Sequence, residues 1–257
     1  MCPLETLQTP GLSVVRKSVP SLRPLPLVHG ASLGVASFAT GGGGDLGGDF
    51  CNASALADER WLFAVGDMEG KGPAAAFAAA ESRRILHESA ESGAAPHEII
   101  ALLNGVLANA DRDERSRPCA VCVVSLHTCP GGFAGRVCNG GSPLPVVVRA
   151  DGVLDPLGGP GLVAGYFPED RWNDWAFDLG AGDTLIIFTD GLPDARSRRR
   201  FFGHHRLESA ARKLAGRHTG DGPAIAAGLV AEARRFAHPR LPPDDMLVLA
   251  LSIPHSA

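Results

Sequence analysis

The chain has 257 residues, 45% of them apolar, and no apolar run approaching the roughly 18 residues of a membrane span, so a soluble globular protein is expected. Its 24 Lys and Arg against 28 Asp and Glu leave a net charge of −4 and a pI near 6.1, which argues against nucleic acid or a lipid surface as partner. No apolar stretch follows Arg16 and Lys17 as a signal peptide requires, and the cytoplasm is the expected compartment.

In chain order, residues 1 to 30 hold Pro3, Pro10, Pro20, Pro24 and Pro26 without periodic apolar spacing and read as an extended N-terminal arm, with the folded domain spanning 31 to 257. A strand is predicted from Ala31 to Phe38, then a glycine-rich loop from Thr40 to Gly48. The run Trp61 to Val65 stops at Gly66 and Asp67, a buried strand that delivers a carboxylate at its C-terminal end. Pro73 opens an Ala-rich helix to about Ser89, and a second helix runs from Pro96 to Ala110 with an apolar stripe. Strands are predicted at Ala120 to Leu126, Gly132 to Cys138, Leu144 to Arg149, Trp175 to Leu179 and Thr184 to Phe188. Helices over about Arg206 to Ala215 and Pro223 to Phe236 precede a last strand, Met246 to Ile253. Strands grouped between helix pairs indicate an α+β class rather than alternating βαβ units.

Cys119 and Cys122 have the spacing of a zinc pair, but they fall in a Val-rich strand, where residues three apart point to opposite faces. Without a second pair beside them they read as buried thiols. Gly66 to Gly72 superficially suggests a phosphate-binding loop but is one residue short and lacks the Ser or Thr that would hold Mg²⁺, so nucleotide hydrolysis is rejected.

Four aspartates share one context, an apolar run or glycine turn at a strand edge: Asp49, Asp67, Asp190 and Asp244. Burying a carboxylate in such surroundings is costly unless a cation or hydrogen bonds meet it, and acidic groups with few thiolates or histidines favour Mg²⁺ or Mn²⁺ over zinc. Taken singly, each aspartate reads first as a turn former or helix cap and not as a metal ligand. Their spacing excludes a local loop of the EF-hand kind and does not by itself bring them together.

In order, Gly47-Gly48-Asp49-Phe50, Val65-Gly66-Asp67-Met68-Glu69-Gly70-Lys71-Gly72, Asn139-Gly140-Gly141-Ser142-Pro143, Gly182-Asp183 through Thr189-Asp190-Gly191 and Asp244-Asp245-Met246-Leu247 resemble the PPM superfamily of metal-dependent Ser/Thr protein phosphatases, in its bacterial stage II sporulation protein E and regulator-of-sigma-B branch. The resemblance implies a four-layer α-β-β-α sandwich of two antiparallel sheets with a two-metal site at one end. It implies that Asp67 bridges two Mn²⁺ or Mg²⁺ ions, that Asp190 and Asp244 complete one, and that Asp49 and the Met68 carbonyl serve the other. A water shared by the ions would attack phosphorus as hydroxide, Asp67 and Asp190 being the catalytic carboxylates. Lys71, before the Pro73 helix, reads either as a phosphate contact or as an exposed lysine in a glycine turn. Arg196, Arg198, Arg199 and Arg200 fall where the resemblance places a flap, and read as a solvated basic loop or as a steering element for an acidic phosphoprotein.

The implied activity is hydrolysis of phosphoserine or phosphothreonine on a protein substrate, an anti-sigma-factor antagonist in a partner-switching pathway. The alternative is a phosphatase-fold binding module with a weak metal site. Two departures from the family pattern keep that alternative open: Asn52 stands where an outer carboxylate is usual, and Ser142 where a histidine is usual. With only the short arm before Ala31, an activating protein in trans is the expected source of regulation.

Overall fold

Two antiparallel sheets carry the fold in the computed structural model, which describes residues 13–14, 25–40, 48–70, 73–109, 117–167 and 171–255. The chain begins with β1 (Ser13–Val14) and β2 (Ser32–Phe38), then forms a long hairpin of β3 (Asp49–Leu56) and β4 (Arg60–Met68). Helices α1 (Pro73–Glu91) and α2 (Pro96–Asn109) lead into β5 (Cys119–Cys129), β6 (Gly132–Gly140), β7 (Val146–Val148), β8 (Leu154–Pro156), β9 (Trp175–Gly180) and β10 (Thr184–Phe188). A small hairpin of β11 (Arg196–Ser197) and β12 (Arg200–Phe201) precedes α3 (Gly203–Arg217), α4 (Gly222–Ala237) and β13 (Met246–Ser252). One sheet has the order β1-β2-β13-β10-β7-β8 and the other β3-β4-β5-β6-β9.

Strand alternation sorts the apolar side chains into three layers. Phe63, Val65, Cys122, Val124 and Leu126 of one sheet meet Leu185, Ile187, Leu247, Leu249 and Leu251 of the other between the sheets. The opposite face of β10 and β13 packs Ile186, Phe188, Met246 and Val248 against Leu207, Ala211, Ile225 and Leu229 of α3 and α4. Leu62, Ala64, Val121 and Val123 pack outward against Leu86, Ile99, Ile100 and Leu103 of α1 and α2. This is the expected α-β-β-α sandwich. Cys119 lies in the helix-covered layer and Cys122 between the sheets, so the two thiols do stand on opposite faces.

The helices follow from local signals. Pro73 and Pro96 occupy first positions, Asp221 caps α4 by accepting from the Ala224 amide at 3.0 Å, and Asp174 accepts from the His97 amide at 2.9 Å in the first turn of α2. Part of the segment read as an arm is already engaged in the fold. Ser13 and Val14 pair with Ser37 and Ala36, Val28 is buried between the sheets, and the Leu27 carbonyl accepts from Trp61 Nε1 at 3.0 Å. Among the described residues no helix is long and apolar enough to cross a membrane.

Candidate active site

The β3–β4 hairpin places Asp49, the first residue of β3, directly opposite Asp67, the penultimate residue of β4. Alternation from Phe63 and Val65 puts Asp67 on the face that looks toward the other sheet, and the direct pairing puts Asp49 beside it. Facing like charges on adjacent strands repel, so this arrangement works against folding unless something offsets it. Asp49 is buried, and its Oδ2 accepts from Thr189 Oγ1 at 3.0 Å.

Thr189 belongs to the second sheet. It follows β10, its amide donates to the Leu247 carbonyl at 3.0 Å, and its Oγ1 accepts from the Leu247 amide at 3.0 Å. Because β10 and β13 are antiparallel neighbours, the end of β10 and the start of β13 share one edge, bringing Asp190 beside Asp244 and Asp245. Asp190 and Asp244 are exposed at this mouth. Asp245 is buried, and its Oδ1 accepts from the amide and the hydroxyl of Thr40, both at 2.7 Å, which fixes the chain where it leaves β2.

The electrostatics tie these groups into one site. Burial pushes the Asp49 carboxyl well above its ordinary range, the charge on Asp67 adds to this, the Thr189 hydrogen bond opposes it, and Asp245 and Asp190 contribute further upward pressure. Asp190 is also raised, first by partial enclosure and then by Asp194 and Asp244, against a lowering hydrogen bond from the Gly191 amide. The aspartates predicted from sequence therefore converge on one end of the sandwich. They do so as a shared field of negative charge: among the described residues no three His, Cys, Asp or Glu side chains close into a group able to hold a metal ion.

The donor chemistry at this end fits a hard divalent cation. The groups are carboxylates, the like charges that raise Asp49 are those a cation would offset, and the backbone leaves room for a carbonyl ligand. A Cβ on Gly48 would overlap both the Met68 carbonyl oxygen and Asp67 Oδ1, so only glycine lets these two oxygens face the same space. The Met68 amide donates to the Gly48 carbonyl at 3.0 Å, and the Met68 side chain is buried under α1 and α2, which anchors the turn from below. Lys71 lies outside the described residues.

Two positions differ from the sequence-based expectation or were absent from it. Asn52 lies on the α1 side of β3 with Phe50, opposite to the face of Asp49. Its Nδ2 donates to Ser54 Oγ at 3.2 Å, and Ser54 Oγ lies 3.3 Å from His87 Nδ1. It is no near neighbour of the carboxylates. Thr189 has no assigned role in the sequence motif, because a β-branched residue after an apolar strand reads as ordinary strand sequence. Its place between Phe188 and Asp190 was the available signal. The Asn139 to Pro143 turn does sit near the site, since Gly141 bridges Val121 next to Ala120, the partner of Asp67, and Asn139 Nδ2 donates to the Ser142 carbonyl at 2.8 Å.

Two antiparallel sheets faced by helix pairs, with aspartates at one shared end, define the PP2C-type phosphatase fold. The family model for stage II sporulation protein E (SpoIIE) matches residues 57–254, and the chain belongs to that family. It is 27% identical over 225 residues to stage II sporulation protein E of Bacillus subtilis, covering 86% of this chain and 26% of that protein, so it spans about a quarter of that relative's length. Among solved structures it resembles the PP2C phosphatase domain of Bacillus subtilis SpoIIE with a fragment of its regulatory domain (25% identity, 88% of this chain and 64% of that one, TM-score 0.71). The RsbU and RsbW domains of a Mycobacterium tuberculosis protein share the fold at 23% identity, covering 91% of this chain and 62% of that one, with a TM-score of 0.75. RsbX in complex with magnesium shares it at 15% identity, covering 86% of this chain and 95% of that one, with a TM-score of 0.61.

Proposed function

We propose that the chain is a Mn²⁺- or Mg²⁺-dependent protein phosphatase that releases phosphate from phosphoserine or phosphothreonine, with residues 31–257 as its catalytic domain. The observation that carries this reading is the pairing of Asp49 with Asp67 at the end of one sheet, under the influence of Asp190 from the other. Asp67 and Asp49, with the Met68 carbonyl, would hold one side of the site, and Asp190 and Asp244 the other. Two bound ions would supply positive charge to the phosphoryl oxygens and lower the pKa of water there. Thr189 keeps the Asp49 carboxylate turned toward the inter-sheet end, and Asp245, engaged by Thr40, serves as a strut rather than a ligand. Lys71 is retained as a candidate contact for the substrate phosphate.

The substrate we propose is an anti-sigma-factor antagonist, with an activating protein acting in trans. Support comes from the family and from a structural relative that contains RsbU and RsbW domains. A second reading, a binding module with a weak metal site, draws on the open spacing of the carboxylates and on Ser142 in the Asn139 turn. Phosphate release from a phosphoserine peptide, with Mn²⁺ and with excess chelator, separates the two. Turnover that appears with Mn²⁺ and vanishes with chelator supports the enzyme, and none under either condition supports the module.

A further inference from the structure

The hairpin of β11 and β12 joins the candidate site to a concentrated positive charge. Arg196, Arg198, Arg199 and Arg200 are all exposed, and among the described residues none of them forms an ion pair with an acid. Four such charges within five residues of a chain with net charge −4 form a local feature and not part of a general basic surface. The base of the hairpin is clipped to the Asp190 turn. The Asp194 amide donates to the Asp190 carbonyl at 2.9 Å, Phe202 to Ala195 at 2.7 Å, and Gly203 to Pro193 at 2.8 Å. Arg206 adds bonds to the Phe201 and Phe202 carbonyls at 3.3 and 3.2 Å, so the base is held while the tip stands clear.

The tip breaks a local rule. Ser197 pairs with Arg200 across a two-residue loop, Arg198 and Arg199, and Arg198 has φ +57°, a region that favours Gly, Asn or Asp in such hairpins. An arginine thus stands at a conformationally unfavourable position, and among the described residues no acid pairs with it, a pattern expected of a functional site. Arg196 also stacks over the half-exposed Phe201 ring at 4.3 Å, giving the hairpin one apolar, cationic face.

We infer that this hairpin docks an acidic stretch of the protein substrate flanking its phosphorylated residue, an inference that rests on the phosphatase reading of the adjacent site. At about 3.3 Å per residue the tip stands on the order of 10 Å beyond its clipped base, so it meets residues a few positions from a phosphate at the Asp190 end. The carboxylates of that end repel an acidic segment, and the arginines offset the repulsion where the segment leaves the site. A protein segment suits the patch better than nucleic acid or membrane, because its charge is confined to one short hairpin on an otherwise acidic chain.

The test uses two fluorescent phosphoserine peptides, one with Asp and Glu flanks and one with Asn and Gln flanks. Binding is measured by anisotropy to the wild-type chain and to a triple variant, Arg198→Asn, Arg199→Gln, Arg200→Gln. The wild type is expected to bind the acidic peptide about tenfold more tightly, a preference that weakens as salt rises and vanishes in the variant. Equal affinity for the two peptides, or a preference that survives in the variant, would overturn the inference. So would displacement of the acidic peptide more readily by an oligonucleotide or by vesicles containing phosphatidylglycerol than by unlabelled peptide. Hydrolysis of p-nitrophenyl phosphate, measured in parallel, separates the two levels. An intact charge preference without turnover in either protein leaves the docking surface standing and refutes the enzyme, whereas turnover without the preference does the reverse.

Discussion

Thr189 donates its hydroxyl to Asp49 at 3.0 Å while accepting from the Leu247 amide at 3.0 Å, so one side chain locks the two sheets together at the end where the aspartates gather. The same hydrogen bond opposes the upward shift of the Asp49 carboxyl caused by burial and by Asp67. Structural closure of the sandwich and electrostatic tuning of the site are thus carried by a single hydroxyl.

Thr189→Val is therefore expected to leave the Leu247 amide and the Asp49 carboxylate without their partner. The cost should be about 1 to 3 kcal/mol in chemical denaturation, together with weaker binding of Mn²⁺. Thr189→Ser keeps the hydroxyl and should restore both. A Val variant as stable as wild type would show that the inter-sheet bond is not needed.

Asp49→Asn should make the metal-free protein more stable near neutral pH. Because the folded carboxyl titrates above its unfolded value, the native state holds its proton longer, and stability falls as pH rises from the usual carboxylate range through the raised folded value. The amide cannot ionise, so the difference in melting temperature between variant and wild type should grow with pH across that window, by about 2 to 4 °C for each kcal/mol relieved. Saturating Mn²⁺ should reverse the ranking by stabilising only the wild type. A pH-independent difference would contradict the assigned cause.

Asn52→Asp is expected to leave the Mn²⁺ requirement of turnover within about twofold of wild type, because alternation along β3 directs this side chain toward Ser54 and α1. A lower requirement in the variant would show that the new carboxylate reaches the site after all.

The case of Asn52 also shows where reading the sequence falls short. Treating Asp49 to Asn52 as one motif groups residues that the pleat of a strand separates onto opposite faces. Strand β3 itself was not predicted, since Asp49, Asn52, Ala53, Ser54 and Ala55 are weak strand formers, and pairing with the apolar β4 decides their conformation. Strong local signals were legible: Thr184–Phe188 emerges with its predicted bounds, and Pro73 and Pro96 open the helices they were expected to open. The aspartates were legible as a set only through resemblance to a family: a hairpin sets Asp49 opposite Asp67, but Asp190 and Asp244 join them through the β10–β13 pairing and the Thr189–Asp49 bond between the sheets, which no spacing records. The role of Asp245 was hidden for a related reason, its partner Thr40 lying 205 residues away.

Asp67, the carboxylate that faces Asp49 and would touch both ions, is the residue on which the proposed chemistry depends most. The most direct measurement is the rate of phosphate release from a phosphoserine peptide as Mn²⁺ is titrated, for the wild type and Asp67→Asn side by side, with circular dichroism to confirm that both are folded. Turnover is predicted to rise with Mn²⁺ in the wild type and to fall by about 100-fold or more in the variant, since an isosteric amide removes the anionic ligand and little else. Equal turnover in the folded variant, or undiminished wild-type turnover in excess chelator, would contradict the assignment of this site.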